Sequence, residues 1–236
     1  SLYSWGGSQP EAVVAADFDL DGRDELAVAN YASKNVLFFK VLNYALYYYG
    51  GLSLQGNATS LVAARLDGDA DMDLAVTERT SSTSPGKVTV FLNNGSFSFS
   101  SSGSYTVGLE PKSISAADID LDTNARVDLA VANQGSNTVS ILGNQGNGSF
   151  ALKATVFVGT GPRSVAISGR NSAGSVIPLG IAHASDNLPD LAVLNGTTGS
   201  LSVRINRGGW LFTTPDLVQQ VYNAVLRVMR ASIKGA

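Results

Sequence analysis

The stretch DFDLDGRDELAVAN, Asp17 to Asn30, sets acidic side chains at Asp17, Asp19, Asp21 and Glu25, bends at Gly22, and runs straight into a short apolar segment. Its two halves carry different information. The acidic half concentrates carboxylates in a chain that is only 15% charged. The apolar half is short, β-branched and bounded by turn formers, which predicts a strand and not a helix.

The apolar half recurs. DELAVAN (Asp24 to Asn30), MDLAVTE (Met72 to Glu78), VDLAVAN (Val127 to Asn133) and PDLAVLN (Pro189 to Asn195) follow one another at intervals of about 50–60 residues. Around each lies the same order of parts. A small-residue strand comes first: AVVAAD, SLVAAR, SISAAD and, more loosely, SVAISG. After the central strand comes a third, as in NVLFFKVLN, KVTVFLNN, TVSILGN and SLSVRIN, and then a fourth, as in SYTVGLEP and ATVFVGTGP. Four strands per period of this length predict an all-β fold, a β-propeller of four blades at about 9–54, 55–108, 109–160 and 161–212, each of four antiparallel strands. LYSWGGSQP reads like a fourth strand with no blade before it, so residues 1–6 are expected to complete the last blade and close the ring. The alternative is an open arc whose missing blades come from another chain.

In the acidic half, Asp17, Asp19, Asp21 and Glu25 stand at loop positions 1, 3, 5 and 9, and the Arg23 carbonyl at position 7 adds a backbone oxygen. Calcium takes six to eight oxygens, and alternate carboxylates on a turning backbone converge on one point. Carboxylates this close repel one another unless a cation sits among them. An EF-hand would need a Glu at position 12, where Val28 stands, and flanking helices in place of strands. The loop is similar instead to the FG-GAP and VCBS repeats of integrin-like propellers, and the resemblance covers residues 1 to about 212. It implies a calcium ion clipping the loop between the first two strands of a blade, at the rim of the ring.

Carried over residue by residue, the resemblance implies two to three calcium sites. The third unit offers Asp118, Asp120 and Asp122, with Asp128 two residues later than the pattern expects. In the second, Arg65 replaces Asp17, and Asp67, Asp69, Asp71 and Asp73 fall at positions 3, 5, 7 and 9. Either calcium is retained there with a shifted ligand set, or the Arg65 guanidinium takes the cation's place. The fourth unit has no alternating carboxylates before Asp190 and gains an apolar insertion, so no metal is expected. A solvated acidic turn is the plain alternative for every loop, since Asp and Gly are common turn residues.

The remaining composition narrows the function. At 236 residues and 44% hydrophobic, the chain has enough apolar material for a large core. A net charge of -3 supplies no basic field, so nucleic acid is not an expected partner. There is no cysteine, which excludes disulfides and thiolate chemistry. No apolar run reaches a membrane span of roughly 20 residues, and the balance of Ser, Thr, Asn and Gly over Lys and Glu suits an exported protein. His183 is the only histidine, so a Ser-His-Asp relay has one candidate, with Ser185 and Asp186 adjacent only in sequence. Sequons occur at Asn57, Asn94, Asn147 and Asn195, two of them in the hairpin turns NNGSF and GNGSF.

The segment from Thr214 is unlike any blade. Thr214 caps, Pro215 fits the first helical position, and Leu217, Val218, Val221, Tyr222, Val225, Val228 and Met229 form an apolar stripe at helical spacing. A helix over 213–236 is expected to pack on the propeller or to dock on a neighbouring copy. The reading as a whole is a non-enzymatic, extracellular or cell-surface, calcium-binding module, structural or adhesive, that self-associates and meets a glycan or surface protein. Its rival is a propeller lectin, invited by the aromatic run NYALYYYG, Asn43 to Gly50.

Overall fold

The computed structural model of the chain describes residues 6–43, 45–121, 126–168 and 188–214. They form four antiparallel sheets of four strands, each a meander in chain order. The first holds β1 (Pro10–Ala16), β2 (Glu25–Asn30), β3 (Asn35–Leu42) and β4 (Ala45–Ser53). The second holds β5 (Asn57–Ala64), β6 (Asp73–Arg79), β7 (Pro85–Asn93) and β8 (Phe99–Leu109). The third holds β9 (Pro111–Ala117), β10 (Asp128–Asn133), β11 (Thr138–Gly146) and β12 (Ser149–Phe157). The fourth holds β13 (Pro162–Ile167), β14 (Leu191–Asn195), β15 (Ser200–Asn206) and the two-residue β16 (Phe212–Thr213). Among the described residues no helix is long and apolar enough to cross a membrane.

The sheets pack face to face in chain order, β1 against β5, β5 against β9 and β9 against β13. One apolar cluster fills each interface. Phe18, Val36 and Phe38 meet Leu61, Val76 and Phe91; Leu66, Val88 and Val90 meet Leu129 and Leu142; Ile119 and Ile141 meet Leu191 and Val193. Burying each such side chain contributes about 1.5–3 kcal/mol. Burial follows position in this series. β6 and β10 are buried on both faces, as strands between two neighbours must be, whereas β2 and β14 alternate with half-exposed or exposed residues. Four copies of one motif thus sit in two environments.

The outward faces of the first and fourth sheets carry the consequence. Val13 is 63% exposed, Leu194 56% and Leu201 61%. Among the described residues no apolar cluster joins the fourth sheet to the first. Among the described residues the outer edge of β15 is paired by β16, Ile205 with Thr213 and Asn206 with Phe212. The expected ring closure is therefore unsupported, and residues 1–5, which were to provide it, lie outside the described residues. So do 215–236 of the expected helix, the apolar insertion at 169–187, and His183 with Ser185 and Asp186.

One glycine per unit lets the chain pass close to the end of the central strand. A Cβ on Gly7, Gly56, Gly108 or Gly159 would meet Asn30, Glu78, Asn133 or Asn195 at 2.5–3.1 Å. Glu78 is the odd member. It is fully buried, accepts from Gly56 N at 2.6 Å and from the Thr89 hydroxyl, and has Lys87 Nζ 3.7 Å away.

Candidate metal centre

The acidic loops connect the first and second strands of three sheets and share one local design. Position 2 is a fully buried apolar residue, Phe18, Leu66 or Ile119, which pins the loop to an interface. Position 4 has left-handed backbone in each: Leu20 at φ 61°, Gly68 at 99° and Leu121 at 52°. The chain therefore curls back at the same point three times. At the loop's end, the first residue of the second strand turns its carboxylate inward to accept the position-2 N–H. The bonds are Phe18 N to Glu25 Oε2 at 3.0 Å, Leu66 N to Asp73 Oδ2 at 2.7 Å and Ile119 N to Asp128 Oδ2 at 2.8 Å.

In the second and third sheets the same carboxylate accepts a second backbone N–H, from Asn93 to Asp73 Oδ1 and from Asn144 to Asp128 Oδ1, both at 2.9 Å. In the fourth, Asp190 Oδ1 accepts from Asn206 N at 2.9 Å, while Asp190 N donates to Ser168 Oγ at 2.7 Å. These asparagines also reach across the sheet interface. Asn93 Nδ2 donates to Phe18 O at 2.7 Å, Asn144 Nδ2 to Leu66 O at 2.8 Å and Asn206 Nδ2 to Ile119 O at 2.9 Å. Each loop is thus tied to the next sheet through its position-2 carbonyl. The sequence carried this signal in the closing asparagine of FLN, LGN and RIN, which was not read as functional.

Three carboxylates converge in each of three loops: Asp17, Asp19 and Glu25; Asp67, Asp69 and Asp73; Asp118, Asp120 and Asp128. Within each group one oxygen per residue lies within 4.8 Å of the others. Oxygens bound to calcium at 2.3–2.6 Å are at most about 5 Å apart across the ion, so each group has the dimensions of a calcium shell. Backbone carbonyls and water would supply the remaining oxygens. The Asp19 Oδ1 atom is buried without a hydrogen-bond partner, an atom whose desolvation a water or a cation would offset. Asp21 and Asp71 fall outside the groups: Asp21 Oδ1 accepts from Arg23 N at 3.0 Å, and the Asp71 carboxylate leans on Gly95. Asp122 lies outside the described residues.

Burial dominates the electrostatics of these groups. It pushes Asp73 and Asp128 up to about 6, against the opposing pull of their backbone donors, and it raises Glu25 and Asp67 as well. Of the two readings of the second loop, retained cation or Arg65 in its place, the geometry does not bear out the second. Arg65 Nε donates to Ala70 O at 3.0 Å and forms no ion pair with Asp67, Asp69 or Asp73. The basic group appears in the first loop instead, where Lys40 Nζ is bonded to Asp19 and stands 3.6 Å from Glu25 Oε1 and 3.9 Å from Asp21 Oδ2. Lys40 was not singled out in the sequence.

The sequons fall in different settings. Asn94 and Asn147 are exposed in hairpins, and Asn57 donates to Tyr31 O at 2.9 Å. Asn195 is 2% exposed, with its amide bonded to Ser200 and Ser202, so the folded chain leaves no room for a glycan there. The aromatic run lies on the outer strand β4, with Tyr47, Tyr48 and Tyr49 about half exposed. Tyr49 also packs on Phe97 of the second sheet at 4.6 Å.

Residues 65–125, which contain the second acidic loop and begin the third, match the model of the FG-GAP-like repeat. No curated protein sequence matches the chain. Among solved structures it is similar to BBS1N, crystallised in complex with ARL6DN and soaked with lead, at 14% identity and a TM-score of 0.57. That likeness covers 88% of this chain and 56% of the other, so the chain spans little more than half the length of BBS1N there. It is also similar to a functionally unknown protein from Desulfotomaculum acetoxidans DSM 771, at 11% identity, a TM-score of 0.43, and coverage of 89% and 70%. Identities this low speak to fold and leave activity open. The four meandering sheets thus form a β-propeller-like fold, and residues 65–125 of it match the FG-GAP-like repeat.

Proposed function

We propose that the chain is an extracellular, non-enzymatic module whose acidic loops bind calcium, and that bound metal fixes the rim of a propeller-like array used in adhesion or structural display. The observation that carries this reading is the convergence of three carboxylates in each of three loops, on a scale that fits one ion. Asp17, Asp19 and Glu25, then Asp67, Asp69 and Asp73, then Asp118, Asp120 and Asp128 are the proposed ligands. Equilibrium dialysis against calcium and magnesium tests it: retention of calcium over magnesium is expected, and retention of neither overturns the reading.

Self-association belongs to the same proposal. It is supported by the apolar outward faces at the two ends of the array, where Val13, Leu194 and Leu201 are exposed. A ring closed by the N-terminal strand, or a helix beyond Thr214 docking on a second copy, would each cover such a surface. Sedimentation of the native protein distinguishes particles from polymer. The lectin reading is favoured by one observation, the three exposed tyrosines of β4. A glycan array without a binder removes it.

A further inference from the structure

The first carboxylate group differs from the second in holding a cationic side chain of its own. In the first three sheets the central strand pairs with the third through Leu26 and Phe39, Leu74 and Phe91, and Leu129 and Leu142. The residue that follows on the third strand is Lys40 in the first sheet, Leu92 in the second and Gly143 in the third. Among the described residues no lysine or arginine forms an ion pair with Asp67, Asp69, Asp73 or Asp128. In the first loop, Lys40 Nζ lies among Asp19, Asp21 and Glu25. Its side chain is 13% exposed, and the rings of Tyr49 and Phe97 hold the ammonium at 4.9 and 5.6 Å. The next residue is Val41 where the other sheets have Asn93, Asn144 and Asn206, so the first loop also lacks the asparagine that orders its counterparts.

We infer that Lys40 is a built-in competitor for the cation of the first loop: calcium enters there only by displacing the Lys40 ammonium, which weakens this site. The inference rests on the calcium reading above. The physical reason is that an ammonium and a calcium ion cannot share one nest of carboxylates, since their repulsion adds to the lost ion pairs and ring contacts. Asp19 Oδ1, buried without a hydrogen-bond partner, shows that one ammonium does not satisfy every oxygen, so exchange for a divalent ion remains favourable at high calcium.

Calorimetric titration of the full chain with calcium tests this. Lys40→Gln and Lys40→Met are each expected to tighten one site by at least about tenfold and to leave the others unmoved. A calcium isotherm unchanged in a folded Lys40 variant overturns the inference. Binding at no loop overturns the calcium reading itself, a distinguishable failure. Terbium gives a readout on the unmodified loop, because Tyr49 is an antenna beside it. Emission that Tyr49→Leu abolishes is expected at lower terbium in Lys40→Gln than in the wild type, and onset at the same terbium in both contradicts the proposal.

Discussion

Asn144 of the third sheet donates its side-chain nitrogen to the carbonyl of Leu66 in the second sheet's acidic loop, at 2.8 Å across the interface. Its own N–H goes to Asp128, its Nδ2 also to Val127 O at 3.0 Å, and its Oδ1 accepts from Gly146 N at 2.8 Å. One buried residue therefore ties a loop, a hub carboxylate and a hairpin together. Asn93 and Asn206 repeat the arrangement at the other two interfaces.

Truncating this latch leaves buried backbone groups unpaired. Asn144→Ala is expected to lower stability by about 2–4 kcal/mol in urea unfolding. Val41→Asn, at the corresponding exposed position of the first sheet, is expected to change it by less than about 0.5 kcal/mol. Similar costs for the two would contradict the assignment of the latch.

The glycine that passes the central strand is a second sensitive point. A Cβ on Gly108 would stand 2.7 Å from Asn133 Cβ, against rigid neighbours, so Gly108→Ala is expected to cost about 1–3 kcal/mol. Gly199→Ala meets nothing within 4 Å and carries only the strain of its φ of 59°, about 1 kcal/mol. Thermal unfolding of the pair separates steric from conformational cost.

Position in the array is expected to outweigh motif identity. Leu129, fully buried between two sheets, should lose about 2–5 kcal/mol on replacement by Ala. Leu194, on an outward face, should lose less than about 1 kcal/mol in an isolated chain. A large loss at Leu194 that grows with protein concentration would instead report a partner covering that face.

The pH dependence of the metal-free protein follows from Asp73 and Asp128. Burial raises both to about 6, above the ordinary carboxylate value near 4, so the folded state binds their protons more tightly than the unfolded chain does. Their contribution is then fully present below pH of about 4 and is lost as pH rises through about 6, on the order of 3 kcal/mol for each. On the calcium reading, metal is expected to reverse the trend, since a cation binds only the ionised carboxylates. Its affinity should fall as pH drops below about 6, and paired melting curves with metal and with chelator should converge there.

Much of this was legible in the chain because repeats report themselves. The LAV strands, their intervals and the alternation of Asp17, Asp19 and Glu25 fix four meandering sheets and place carboxylates in three loops. What escaped were relations across sheets. Nothing local marks Lys40, whose ammonium reaches back along the blade to a loop about 20 residues earlier, a contact created by strand pairing. Arg65 drew attention because it occupies a ligand position, yet its side chain binds the Ala70 carbonyl instead. The exposure of Leu194 and Leu201 depends on which sheet meets no other among the described residues, and the repeat alone does not mark it.

Thermal unfolding at pH 7.5, with saturating calcium and again with excess chelator, tests the claim on which the rest depends. Each site filled at about a hundredfold over its dissociation constant adds about 2.7 kcal/mol, so two tight loops should raise the midpoint by about 10–20 °C, reversibly. Superimposable curves would contradict metal-stabilised loops.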